Sequence, residues 1–283
     1  MKDEEYKKIV KTIQNYRGLS RECANMLLAK YKSFPPTTLY GILSQEIKKK
    51  MTMLHWKVFG KGTNFYGNYL EAAKKQEQSS NKSSILLKTA IKHDVCPSLL
   101  ARKVLEEYCN LKDSKITKQD ISKMMRDTTL IEDKDLAYDI YMCILYDDQY
   151  GPISSAIDES VGEEYEMKLE IHLKEHNIPF YNENHLRSKG YDKTPDFKLE
   201  IPIAVNGFVV NWIESKGQFG SPKNHQTYIK EQFSSYWNRF GPGLVIYWFG
   251  YVDSIVQASE TKFIIMDHFP TNIQYMNPSS LRS

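Results

Sequence analysis

The sequence has 283 residues, 41% of them hydrophobic and 26% charged, an ordinary globular composition with apolar material for one large or two average domains. No apolar run approaches the ~18 residues of a membrane span, and the opening MKDEEYKKIV lacks the apolar stretch of a secretory leader. Net charge is only +3, but residues 1–126 hold 25 Lys+Arg against 12 Asp+Glu, while residues 127–283 hold 13 against 23. A basic half joined to an acidic half suits one region to phosphate and another to a cation; the alternative is that the lysines only solubilise a helical domain. Cys23, Cys96, Cys109 and Cys143 form no C-x-x-C pair and read as reduced side chains rather than zinc ligands.

In chain order, residues 3–16 place Tyr6, Ile9, Val10 and Ile13 on one helical face. Ser20 is read as the cap of a second helix over 21–32, ended by the prolines of SFPPTT. A third helix over 38–54 carries Leu39, Ile42, Leu43 and Ile47, and the last two helices together admit a helix-turn-helix or a plain bundle. The glycines and polar run of 58–84 read as a loop and a flexible connection. ILLKTAIKHD, PSLLARKVLEEYC and KDLAYDIYMCILYDD read as core helices, and Thr117 with Asp120 as a capping box. Residues 1–150 are therefore expected to be a basic, all-helical domain that contacts nucleic acid. GPISSAIDE, 151–159, is read as a hinge into a second domain over 151–283, opening on a helix from Gly162 to about Asn177.

Asn206-Gly207 between apolar runs signals a two-residue hairpin turn, with strands over roughly 196–204 and 208–216. The two-residue side-chain period then brings Asp196 and Glu214 together at one end, with Lys216 on the same strand face as Glu214. Two carboxylates and an ammonium at a strand end suit a Mg²⁺- or Mn²⁺-dependent phosphodiesterase, since hard oxygens hold the cation and the ammonium balances developing charge. The preceding HLRSKGYDK, read as a loop, offers Arg187, Lys189 and Lys193 as phosphate contacts or as solvated charge. A helix over about 225–240 carries His225, Tyr228, Gln232 and Arg239, the first three on one face, so His225, Tyr228 and Arg239 join the candidate nucleic-acid contacts. GPGLVIYWFGYV reads as a buried central strand, KFIIMDHF as another, and PTNIQYMNPSSLRS as a mobile tail.

Pro195-Asp196 with Glu214-Ser215-Lys216 resembles the PD-(D/E)xK nuclease superfamily. LRSKGYDKTPDF, WIESK, QFSSYWNRFGPGLVIYWFG and FPTNI are similar to the codanin-interacting nuclease family of animals, most strongly over 150–275. The resemblance implies a helical domain followed by a restriction-endonuclease-like mixed sheet flanked by helices, an α + α/β chain. It implies a metal held by Asp196, Glu214 and the Ser215 carbonyl, catalytic assistance from Lys216, and, by analogy with Holliday-junction resolvases, Glu166 and Gln232 beside the metal and the scissile phosphate. It also implies DNA cleavage, codanin binding, life in the nucleus and cytoplasm, a role in chromatin assembly and an association with erythroid maturation. The competing expectation is an interaction protein that keeps the nuclease fold and works chiefly as codanin's partner.

Overall fold

The computed structural model describes residues 1–60, 62–76, 84–112, 115–257 and 260–276. Its architecture is the expected α + α/β: amino-terminal helices, then a six-stranded mixed sheet flanked by helices. The chain divides into two compact units, Val10–Ser33 with Leu43–Glu159, and Met1–Ile9 with Phe34–Ile42 and Ser160–Ser283.

The first unit is helical. Its core is built on α6 (Pro97–Lys112) and α8 (Lys134–Leu145), whose Leu100, Val104, Leu105, Leu136, Ile140 and Cys143 are fully buried; α1 (Asp3–Asn15), α2 (Ser20–Lys30), α3 (Pro36–Phe59), α4 (Phe65–Gln76), α5 (Ile85–His93) and α7 (Lys118–Arg126) complete the helices before α8. The Thr117–Asp120 capping box forms in both directions. Ser20 is not a cap: it is the first helical residue, and its hydroxyl is bonded to Asp148. The segment read as a loop from 58 contains α4, because the Asn64 side chain accepts the Gly67 N–H at 2.9 Å and so starts the helix that the glycine was expected to break. Residues 77–83, within the expected flexible connection, lie outside the described residues.

The second unit holds the sheet. Strands β1 (Phe180–Asn182), β2 (Phe197–Val205), β3 (Phe208–Lys216), β4 (Gly243–Tyr247) and β5 (Phe263–Met266) lie in the order β1-β2-β3-β4-β5, and β6 (Ile273–Tyr275) pairs with β2 beyond β1. The β1/β2 and β2/β3 pairs are antiparallel, whereas β3/β4 and β4/β5 are parallel. Asn206 and Gly207 take φ of 51° and 81°, the left-handed pair that the hairpin turn requires. Helix α9 (Pro152–Glu175) covers one face of the sheet with Leu169 and Leu173 against Phe197, Leu199, Ile213 and Leu244. The other face packs Trp212, Val245 and Tyr247 against Phe233 and Tyr236. These last two lie in a helical run made of α11 (Pro222–Tyr228), a π turn (Ile229–Phe233) and α12 (Ser234–Phe240).

Three local expectations are corrected. The segment 151–159 is helical from Pro152 rather than an irregular connection and opens α9, where Pro152 occupies the first helical position and lacks only an N–H that would find no helical partner there; the division between the two units falls at its end. The first part of HLRSKGYDK is not a loop: α10 (Glu183–Ser188) starts on Asn182, whose side chain accepts the His185 N–H at 3.0 Å, and the loop begins only at Lys189. The expected tail forms β6 at 273–275, and residues 277–283 lie outside the described residues. In addition, residues 1–9 and 34–42 group with the sheet rather than with the helices around them. The Met1 ammonium donates to the Tyr251 carbonyl at 2.8 Å, Tyr6 stacks on the buried Phe219, and the Thr38 hydroxyl donates to the Phe249 carbonyl at 2.7 Å.

Close packing gives one stability prediction. A Cβ on Gly243 would stand 2.1 Å from Cε2 of the fully buried Trp212. Gly243→Ala is therefore expected to cost about 1–3 kcal/mol or more through overpacking, read as a lower denaturant midpoint at unchanged slope.

Candidate active site

The β2/β3 register decides the site. Phe197 pairs with Ile213, so one step outward Asp196 faces Glu214, and alternation turns Glu214 and Lys216 to the sheet face that also carries Trp212. The Asp196 N–H donates to Glu214 Oε2 at 3.3 Å, and the Ser215 N–H donates to Asp196 Oδ2 at 2.7 Å. Lys216 Nζ lies 2.5 Å from Glu214 Oε1 and 4.9 Å above the Tyr228 ring. Tyr228 Oη in turn accepts from the Gln218 amide at 2.8 Å. Glu214 is 2% exposed, so this is a buried charge cluster at the carboxy-terminal end of a central strand.

One ammonium serves two acids. Desolvation raises the Asp196 carboxyl well above the carboxylate range, and Glu214 opposite raises it further. Glu214 is raised by burial as well, against the lowering effect of Lys216. Burial disfavours the Lys216 charge, yet Glu214 and Asp196 outweigh it and raise the ammonium above the usual lysine value.

The flanking residues divide. Glu166 on α9 is solvent-accessible and electrostatically part of the cluster: desolvation raises its carboxyl, as do Glu183 and Glu214, while Lys216 lowers it. Glu166 sits in the middle of α9, so it does not serve the helix N-terminus. Gln232 lies in the π turn, between Tyr228 over the Lys216 ammonium and Tyr236, whose phenol is raised by burial and by Glu214 and Asp196. Its buried Oε1 has no hydrogen-bond partner among the described residues, and π turns of this kind recur at functional sites.

His225 is not available to nucleic acid. It is 2% exposed, its Nδ1 lies 3.0 Å from Tyr247 Oη, and burial lowers its pKa to about 4, so it stays neutral in the core. Tyr228 braces Lys216 rather than projecting to solvent. Arg187 pairs with Glu183 at 2.7 Å, Lys193 Nζ donates to the Glu231 carbonyl at 2.7 Å, and Arg239 donates to the Lys193 carbonyl at 2.9 Å and pairs with Asp192. Lys193 and Arg239 hold the segment leading into Asp196 against the helical run that begins at Pro222, whereas the Arg187 pair lies within α10. Lys189, exposed, lies 4.8 Å over the Tyr181 ring.

Sequence reasoning missed Glu183, the first residue of α10, which accepts from Arg187 and from the Thr194 hydroxyl at 3.2 Å and adds to the negative field at Glu166 and Glu214. The Glu183/Arg187 spacing, read as a helix pair, was the available signal. It also missed Trp248, whose indole N–H donates to Ser215 Oγ at 2.9 Å.

Among the described residues no three His, Cys, Asp or Glu side chains already stand as a metal cage. The donor set nonetheless fits a hard divalent cation: two facing carboxylates hold pKa values raised by burial and repulsion, with further acids at Glu166 and Glu183 and an unpartnered amide oxygen at Gln232.

A family described as "Protein of unknown function TPD sequence-motif" matches residues 132–269. CDAN1-interacting nuclease 1 of Xenopus laevis is 41% identical over 257 residues, covering 90% of this chain and 84% of the relative. The protein of the same name in Danio rerio is 40% identical over 272 residues, 95% and 89% of the two chains, and that of Homo sapiens 39% over 257 residues, 90% of each. No solved structure matches. Identity of this level along nine-tenths of the sequence shows that the chain belongs to the codanin-interacting nuclease family.

Proposed function

We propose that the chain is a Mg²⁺- or Mn²⁺-dependent nuclease that hydrolyses phosphodiester bonds in DNA and binds codanin. The observation that carries the reading is the meeting of Asp196 and Glu214 across the hairpin, with Lys216 2.5 Å from Glu214. Asp196, Glu214 and the Ser215 carbonyl would hold the cation, which when bound acidifies a water and polarises the phosphate. The chain's own residues do the rest. The Ser215 N–H orients Asp196, Tyr228 and Glu214 aim the ammonium of Lys216, and that ammonium meets charge developing on the phosphate. Gln232 supplies an amide oxygen that can accept a hydrogen bond from the attacking water. The test is incubation of junction, flap, single-stranded and duplex DNA with Mg²⁺ or Mn²⁺. Cleavage by the parent but not by Asp196→Asn supports the reading, and no cleavage of any substrate at any metal concentration ends it.

The names of the relatives favour a second property, codanin binding, and admit that it is the main one. Retention of codanin by both the parent and the Asp196→Asn protein, with neither cutting DNA, selects that reading.

The basic half adds a further expectation. If residues 1–126 engage duplex phosphates, the logarithm of affinity falls with that of salt at about −0.9 per neutralised phosphate. Replacing the exposed Lys88 and Lys92 together by Glu is then expected to flatten the slope measured by anisotropy in EDTA. A slope equal to the parent's removes this helix from the interface.

A further inference from the structure

Helix α9 carries Tyr165, Lys168 and His172 at steps of three and four residues, on one face, and His176 follows directly after the end of the helix. Against them lie Trp248 and Phe249, just after β4, and Phe269, just after β5. The Tyr165 ring stands 5.5 Å from Trp248 and 5.3 Å from Phe249. The His172 ring stacks on Phe269 at 4.9 Å and lies nearly parallel to Trp248 at 6.5 Å, and His176 lies 4.9 Å from Phe269. The Lys168 ammonium sits 4.5 Å over Trp248 and 5.4 Å over Tyr165.

This row abuts the acid cluster. The Trp248 N–H donates to the Lys216 carbonyl at 3.0 Å, its indole N–H reaches Ser215, and a Cβ on Gly217 would come within 3.2 Å of Tyr165. Lys168 and His176 are exposed, while Tyr165, His172 and Trp248 are half-buried. An ammonium laid on rings at the water boundary stabilises the free protein only weakly, so it can leave them at small cost. In this otherwise acidic half of the chain, one face interleaves a lysine and two imidazoles with rings. Its acidic neighbours include the mostly exposed Glu175, 3.6 Å from His172 Nδ1, and Glu164 and Glu166 on either side of Tyr165.

We infer that this ledge binds the unpaired bases of a single DNA strand next to the acid cluster. The inference rests on the phosphodiesterase reading and names its substrate as DNA with an unpaired stretch beside the scissile bond. Every base has a π face, so rings accept a strand without regard to sequence, and the interleaved Lys168 ammonium takes a phosphate. Lys168 covers the rings in the free protein and is placed to swing to a phosphate as a base takes its position. A duplex keeps its base faces stacked on one another and gains nothing from the rings.

The experiment is anisotropy in EDTA, where no cleavage occurs, with labelled oligothymidylate and an abasic strand of equal length. Tyr165→Leu and His172→Leu are each expected to weaken oligothymidylate binding about ten-fold and to leave the abasic strand unchanged. Tyr165→Phe, which keeps the ring, is expected to bind as the parent does, which separates loss of the ring from loss of the fold. Lys168→Ala is expected to reduce the salt slope by about 0.7. Equal parental affinity for the two strands, or parental binding by both leucine variants, overturns the ledge. The two readings fail separately. Cleavage with unchanged binding by the leucine variants removes only the ledge, and base-dependent binding without cleavage removes only the nuclease.

Discussion

Lys216→Ala is expected to lower metal-dependent cleavage by about 10²–10³-fold, the usual effect of removing one preorganised donor from a developing oxyanion. The ammonium is held by Glu214 at 2.5 Å and by the Tyr228 ring at 4.9 Å, on a residue paired within a central strand, so little reorganisation is needed when charge develops. The same substitution leaves Glu214 buried without its partner. Breaking a buried pair of this kind costs about 3–5 kcal/mol, reduced here because Glu214, whose pKa is already raised, can take up a proton. The destabilisation should therefore be smaller at acidic than at neutral pH, and Mn²⁺ should restore stability by supplying the missing positive charge. Rates on the DNA panel and melting curves at two pH values, with and without Mn²⁺, check both parts. Parental rates in the alanine protein would remove Lys216 from the chemistry.

Asp196→Asn has the opposite sign for the free protein. The amide keeps an acceptor for the Ser215 N–H but loses the charge that faces Glu214. A carboxyl with a folded pKa above its unfolded value binds more protons folded than unfolded, so it favours the fold at low pH. That contribution is lost as pH rises from the ordinary carboxylate value through the raised one, a window set by burial and by Glu214. In EDTA at neutral pH the asparagine protein is expected to melt above the parent, by about 2–4 °C for each kcal/mol of repulsion relieved. At low pH the difference should shrink. Calorimetry should show Mn²⁺ binding to the parent and none to the variant. Equal binding by both would mean that the cation site lies elsewhere.

Much of this was legible in the amino acids. Asn206-Gly207 sets the hairpin because both residues accept positive φ, and a strict two-residue period then carries Asp196 to Glu214 and Lys216 to the same face. The apolar run at 243–247 could only be a buried strand, and the class, helices followed by a mixed sheet, followed from periodicity and resemblance. Local chemistry of this kind depends on neighbours in sequence, so the sequence by itself determined it.

Burial and partner choice depend on the whole fold, and there only the tertiary structure decided. His225 and Tyr228 have helical spacing that suits a wet polar face, yet Tyr247 and Phe233 enclose the first, and Lys216 claims the second. Lys193 and Arg239 read as phosphate contacts until their intramolecular acceptors are seen, because those acceptors lie tens of residues away in the chain, whereas the partner of Arg187, Glu183, stands one helical turn before it. Glu183 joins the acids only because β1 turns into α10 beside β2. Trp248 meets Lys168 and His172 only because a parallel strand returns its end to α9, a long-range closure that no local pattern encodes.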